Sequence, residues 1–322
     1  MLERSGLDLL DCFTLIKHTI EIAERPARIS LEHKQLVLKA GDIERSYACE
    51  DMGVLILQHP AISLSAAIIN ALLESGCVVI FCGSNHLPTG MLLPTVTHTE
   101  LVPRMMAQLA ADLPAQKRVW KAIIQAKINA QAKNLPPVSQ RKLFNLAQKV
   151  KSGDPENREA QAAKIYWQAR FPEQYQRGIK RDQKCATLFN SALNYGYAII
   201  RAATARALVS AGLQPALGVF HHNRGNPFCL ADDVMEPLRP LVDERVKELL
   251  AKETETDGIL QQSHRRELLS LLSEKVICGD FTGPLMVALP RYVSSFFQML
   301  IKESKKLTSP TQCKSQDTDV CG

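Results

Sequence analysis

From His18 to about His59, apolar and polar positions alternate with period two through HTIEIA, ARISLEHKQLVLKAG and SYACEDMGVLILQH. That alternation predicts half-buried strands, with Gly41-Asp42 as one turn between them. Ser63 to Ser75 carries apolar residues at helical spacing and stops at Gly76, a residue suited to the left-handed backbone that ends helices. VVIFCGS, at 78 to 84, then reads as a buried strand that closes the unit.

After Thr97 the strand pattern gives way to helical periodicity. Helices are predicted over 100–112, 115–133, 138–151, 157–170, 185–211, 231–252, 257–275 and 289–305. The segment from Ala186 to Gly212 is apolar around most of its circumference, which predicts a helix buried among other helices and acting as their axis. The fold class is therefore α+β, a small N-terminal β domain at 18–97 followed by a larger all-α C-terminal domain at 98–306. Residues 1–17 read as an N-terminal extension and the polar stretch 307–322 as a flexible tail.

Composition narrows the class of protein. With 46% apolar residues over 322 positions the chain buries a substantial core. Its nine cysteines are odd in number and contain no Cys-x-x-Cys pair, which points away from a disulfide framework or a zinc ribbon and towards a reducing cytoplasm. No long uncharged apolar run and no signal-peptide pattern are present, so no membrane partner is expected.

The net charge of +6 is unevenly spread. Between Leu101 and Lys151 ten basic residues, among them Lys117, Arg118, Lys121 and Lys127, face a single acid, Asp112. A second basic knot holds Arg177, Lys180, Arg181 and Lys184. Such blocks suit a nucleic-acid backbone, because each neutralised phosphate releases a counterion, although a solvated helix face has the same composition.

The candidate chemistry lies in two stretches. In GDPENREA, Asn157 is a good helix N-cap and puts Glu159 in the first turn, where it serves either the helix dipole or a ligand. In LGVFHHNRGNPFCLADDVMEPLRPLVD, the pair His221-His222 precedes the acids Asp232, Asp233 and Glu236. If one helix ran from Ala231 to Leu249, Glu236 would fall opposite its apolar stripe, beside Asp232, Arg239 and Asp243, as a metal-binding or simply a solvated face.

In this order and separation GDPENREAQAAKIYW, LNYGYAIIRAATARALVSAGLQPALGVFHH and NPFCLADDVMEPLRPLVD resemble the CRISPR-associated spacer-acquisition integrase and endonuclease, the first of the Cas proteins, in its type II and especially type II-C-like version. ISLEHKQLVLKAG, EDMGVLILQHP and HLPTGMLLP resemble that family's β domain, and the likeness covers about residues 18 to 300. The seventeen residues before HTIEIA depart from the family pattern and are an extra helix or an upstream start.

The resemblance implies that Glu159, His221 and Glu236 are the catalytic, metal-binding residues, with His222 a neighbour and Asp233 a supporting or DNA-facing acid. It implies Mg²⁺ or Mn²⁺, which suit one imidazole and two carboxylates, and phosphoryl transfer in which a DNA 3′-hydroxyl or water attacks a phosphodiester. Implied partners are double-stranded DNA (prespacer and CRISPR repeat), a second copy joined through the β domain, and the second, small Cas protein in an integration complex. The setting is the bacterial cytoplasm. A stand-alone metal nuclease acting on branched repair intermediates and a non-enzymatic helical DNA-binding scaffold are the alternatives.

Overall fold

The computed structural model describes residues 18–83, 88–94, 98–178, 181–182, 187–253 and 260–313. The N-terminal part contains β1 (His18–Ile22), β2 (Ala27–Glu32), β3 (Gln35–Ala40), β4 (Ile43–Ala48), β5 (Met52–Leu57), β6 (Ile62–Leu64), α1 (Ala66–Glu74), β7 (Val78–Cys82) and β8 (Pro88–Leu92). These strands form two four-stranded sheets, ordered β1-β5-β7-β8 and β4-β3-β2-β6. In the first, β1 and β7 flank β5 in parallel and β8 runs antiparallel to β7. The β2–β3 hairpin turns through His33 and Lys34, both at positive φ, a backbone usually marked by Asn or Gly and so not signalled here.

MGVLIL, the whole of β5, is buried. Its alternate side chains enter different cores. Leu55 and Leu57 pack with Ile29, Leu36 and Leu72 inside the β unit, whereas Val54 and Ile56 join the large helical core. One sheet thus serves both parts of the molecule. Glu21 of β1 reinforces the junction, accepting hydrogen bonds from Gln58 Nε2 at 2.5 Å, Tyr195 OH at 2.8 Å and Arg265 Nε at 3.0 Å.

The helical part comprises α2 (Leu101–Leu109), α3 (Leu113–Lys133), α4 (Pro137–Gln148), α5 (Arg158–Arg170), α6 (Pro172–Gln176), α7 (Leu188–Ser210), α8 (Cys229–Val234), α9 (Arg239–Lys252), α10 (Gln262–Leu269) and α11 (Leu285–Leu300). As its composition predicts, α7 is the axis, buried on most of its surface and packed by α8, α9, α10, α11 and β7. At Gly196 a Cβ would lie 2.4 Å from Val242 Cγ1, so glycine permits the close crossing of α7 and α9.

Several expectations change. The helix over 231–252 is broken by a 3₁₀ turn at Glu236–Leu238, because Pro237 and Pro240 withhold backbone donors there. The helix over 257–275 ends early, in a 3₁₀ turn at Ser270–Ser273; residues 254–259 lie outside the described residues.

The helical part also holds a small sheet, β10-β9-β11, formed by β9 (Lys275–Cys278), β10 (Phe281–Pro284) and β11 (Thr311–Gln312). Gly279, at φ +67, turns the chain between β9 and β10. Strand β11 belongs to the stretch expected as a flexible tail, yet it pairs with β9. Residues 1–17 and 314–322, the expected extension and the rest of the tail, lie outside the described residues.

Candidate active site

The start of α5 is fixed by side chains other than Glu159. Asn157, left-handed at φ +50, accepts from Ala160 N at 3.3 Å, and Asp154 accepts from Arg158 N at 2.8 Å and Glu159 N at 3.0 Å. With those donors satisfied the Glu159 carboxylate is left for a partner across the cleft. That partner is Lys127 of α3, whose Nζ lies 2.5 Å from Glu159 Oε1 and 2.5 Å from Glu236 Oε2.

Glu236 sits in the 3₁₀ turn after α8 and is 5% exposed. Its Oε1 lies 2.9 Å from Arg239 Nε, three residues on. Of the two readings a continuous helix left open, a solvated face is not what Glu236 forms. Asp243 is buried as well, its carboxylate accepting hydrogen bonds from Tyr166 OH at 2.9 Å and from Tyr197 OH.

Charge follows burial here. Burial opposes ionisation of Glu236, but Lys127 and Arg239 outweigh it and hold the carboxyl below the usual range. Burial likewise opposes the charge on Lys127, and Glu236 with Glu159 hold its pKa above the ordinary lysine value. Asp243 has no comparable compensation, and burial pushes it up to about 6 despite its tyrosine hydrogen bonds. Lys127, expected among the DNA-backbone contacts, is instead buried between the two glutamates.

His221 is held by Asp233. The ring Nδ1 is 2.6 Å from Asp233 Oδ1, and the same carboxylate accepts the backbone N–H groups of Val219 at 2.7 Å, Phe220 at 3.0 Å and His221 at 3.2 Å. An ionised carboxylate only accepts, so Nδ1 carries the hydrogen and the neutral ring keeps its free lone pair on Nε2. This hydrogen bond raises the His221 pKa above the ordinary value. Gly218 makes the wrap possible, since a Cβ there would meet His221 O at 2.2 Å and Asp233 Oδ2 at 2.9 Å.

Aromatic contacts complete the mounting. Phe220 stacks on buried Trp120 of α3 with centroids 4.1 Å apart, and the His221 ring stands edge-on to both. Trp120 and Lys127 are two helical turns apart on one face of α3, so a single helix supports both halves of the site.

His221 and His222 separate. His221 opens on a cavity of about 910 Å³ that also meets Arg181, Arg201, Arg239 and, from β8, Met91, whereas His222 faces another cavity, of about 380 Å³. Asp233, expected as a supporting or DNA-facing acid, is wholly buried beneath the loop, so DNA does not reach it. Asp232 turns to Arg201, 2.8 Å from its Nε, and to Asn226 Nδ2 at 2.6 Å.

Among the other basic residues singled out by sequence, Lys117, Arg118 and Arg177 are exposed and Lys121 is partly so. Arg181 lies in the cleft, bonded to Asn190 and Asn194, and Lys180 lies outside the described residues. Sequence reasoning missed Arg201 as a cleft residue, because an isolated arginine in an apolar helix makes no charge cluster. It named Arg239 only as a neighbour of Glu236; their three-residue spacing was the available signal.

One imidazole and two carboxylates are a donor set suited to a hard divalent cation. Two of them, Glu159 and Glu236, already converge on one positive charge, and Glu236 Oε2 is buried without a hydrogen bond of good geometry. Among the described residues, no three His, Cys, Asp or Glu side chains converge closely enough to hold a metal ion. The carboxylate pair therefore suits a cation, with the lysine now between its members and His221 standing apart.

The family profile described as CRISPR associated protein Cas1 matches residues 20–277. The CRISPR-associated endonuclease Cas1 of Neisseria meningitidis serogroup C is 33% identical over 294 residues, covering 90% of this chain and 94% of its own. Among solved structures, a casposase bound to its integration product superposes with a TM-score of 0.74 at 22% identity, over 90% of this chain and 92% of that one. A Cas6-RT-Cas1–Cas2 complex gives 0.71 at 17% identity, over 93% of this chain and 36% of that one. The extent of the family match and the identity to the Neisseria protein show that this chain belongs to the Cas1 family.

Proposed function

We propose that this protein is a metal-dependent DNA endonuclease and strand-transfer integrase of a CRISPR system, which inserts short duplex DNA as new spacers into the repeat array. The observation that carries the reading is the convergence of Glu159 and Glu236, from separate helical segments, on one cation beside a cleft opened by His221. Relatives named as CRISPR-associated endonucleases support it.

Glu159, Glu236 and the free Nε2 of His221 would hold Mg²⁺ or Mn²⁺. When bound, the ion polarises a phosphoryl oxygen and offsets charge in the transition state. The remaining work falls to the protein. Asp233 fixes the tautomer of His221, Arg239 balances Glu236, and Arg181 and Arg201 present cations to a phosphodiester in the cleft. The incoming 3′-hydroxyl forms a new phosphorus–oxygen bond as the target strand's 3′-oxygen leaves, so no protein nucleophile is needed. Exposed Lys117, Arg118 and Arg177, with partly exposed Lys121, hold the DNA backbone.

The assembly is a homodimer joined through the β domain and bridged by the second small Cas protein, acting on prespacer and repeat DNA in the bacterial cytoplasm. A solved complex that names Cas2 beside a chain of this fold supports the partnership. Among the described residues no helix is long and apolar enough to cross a membrane. The test is joining of a labelled duplex to repeat DNA by protein and partner. The reaction should need Mn²⁺ or Mg²⁺, stop with EDTA and fail with a 3′-deoxy end; joining that ignores both changes contradicts the proposal.

A further inference from the structure

Lys127 occupies a position that a lysine reaches only at a cost. It lies on the buried face of α3 among Ile123, Ile124, Ile128 and Gln131, and it is 9% exposed. A lone ammonium there would be strongly disfavoured, and so would the carboxylate of Glu236. The contacts of 2.5 Å to Glu159 Oε1 and to Glu236 Oε2 remove both problems at once. A divalent ion held by the same two carboxylates would need the space between them that the ammonium fills. It would overlap the ammonium and repel it, so the two cations exclude each other. Room for the lysine to move aside exists in the cavity of about 360 Å³ that Lys127 and Glu236 themselves line, together with Gln131, Trp167, Tyr197 and Asp243.

We propose that Lys127 is an internal counter-cation which a divalent ion must displace from the Glu159–Glu236 pair, so that this lysine sets the metal affinity of the site while keeping two carboxylates balanced in the metal's absence. The inference rests on the metal reading above and adds to it a residue that opposes binding. A purely structural lysine would behave in the opposite way, because removing it would disorder the carboxylates and weaken metal binding.

Mn²⁺ binding to the full-length protein, followed by the loss of free-ion EPR signal, separates these cases. Removing a competitor resident in about nine of ten metal-free molecules tightens apparent affinity about tenfold. Lys127→Met should therefore bind Mn²⁺ about tenfold more tightly and gain more melting temperature from Mn²⁺ than the unaltered protein. Lys127→Arg, whose fork holds carboxylates more firmly, should bind it more weakly. Because Lys127→Met leaves two carboxylates unbalanced and can fail to fold, the unaltered protein provides a second reading. Reductive methylation of Lys127, followed by mass spectrometry, should rise when Mn²⁺ is added, and the rise should disappear in Glu159→Gln. Equal or weaker Mn²⁺ binding by Lys127→Met, or methylation indifferent to Mn²⁺, would overturn the inference. If the unaltered protein shows no Mn²⁺ binding that depends on Glu159 and Glu236, the metal reading itself fails and carries this inference with it.

Discussion

Asp233 holds His221 by its ring and by its backbone together, with Nδ1 and the His221 N–H both on Oδ1, at 2.6 and 3.2 Å. A single carboxylate therefore decides where the ring stands and which nitrogen it offers to the cleft. Replacing Asp233 with Asn keeps the size and loses much of the acceptor capacity. Metal-dependent strand transfer should fall about 10–100-fold, the usual cost of losing a carboxylate behind a ligating histidine. Affinity for duplex DNA should stay within about twofold in a filter-binding assay, since Asp233 does not face the solvent.

The same contact sets the direction of the pH dependence. A proton and a metal ion compete for His221 Nε2, and the pKa of His221 is raised. Mn²⁺ affinity, read by calorimetry, should therefore decline as pH falls through a midpoint above 6.5, the ordinary histidine value. Glu236, held below its usual range, stays charged over that window. In Asp233→Asn the midpoint should move to lower pH even though maximal activity is reduced.

Asp243 predicts a trend in stability of the opposite sense to an ordinary salt-bridged acid. Its pKa is raised from 3.8 to about 6 by burial, so the folded state binds the proton more tightly than the unfolded chain. The carboxylate's penalty is absent below 3.8, grows as pH rises towards 6 and persists above it, reaching on the order of 3 kcal/mol for a shift of this size. Denaturant melts of Asp243→Asn between pH 4 and 7 should show a flatter profile than the unaltered protein.

Gly218 and Gly196 separate site from scaffold. Gly218→Ala puts a methyl 2.2 Å from His221 O, so it should abolish strand transfer while leaving most of the melting temperature in place, because the displaced loop lies at the surface. Gly196→Ala forces a methyl to within 2.4 Å of Val242 Cγ1 at the α7–α9 crossing. It should destabilise the whole protein by about 1–3 kcal/mol, as overpacking does.

DNA binding distinguishes exposed lysines from the buried one. Charge reversal at Lys117 and Lys121 should weaken duplex binding and reduce the salt slope by about 0.9 for each lost phosphate contact. Reversal at Lys127 should instead damage folding, since three carboxyl groups would then meet in a buried place.

Much of this was legible in the sequence where periodicity is strong. Strands β1 to β5 lie within the stretch whose alternation predicts strands, although β5 is apolar and buried throughout rather than alternating, and α7 announces itself by being apolar all round. The β2–β3 turn was illegible because His33 and Lys34 adopt positive φ without the usual residues. Strands β9 to β11 are two to four residues long, too short to display a period beside α10 and α11. At the site, spacing and resemblance led to Glu159, His221 and Glu236. Charge counting then misplaced Lys127, because a run of basic residues does not reveal which one faces inward; that depends on carboxylates arriving from α5 and from the turn before α9. Helix phase failed at Glu236 and Asp243 because Pro237 and Pro240 broke the helix whose phase was assumed.

The most direct measurement is covalent joining of a labelled prespacer to repeat DNA, with Mn²⁺ and the small partner protein, by Glu159→Ala, His221→Ala, Glu236→Ala and His222→Ala. The joined product should vanish in the first three, with DNA binding retained, and persist in His222→Ala, whose side chain faces a different cavity. Joining at the unaltered rate by all of the first three variants would contradict the account.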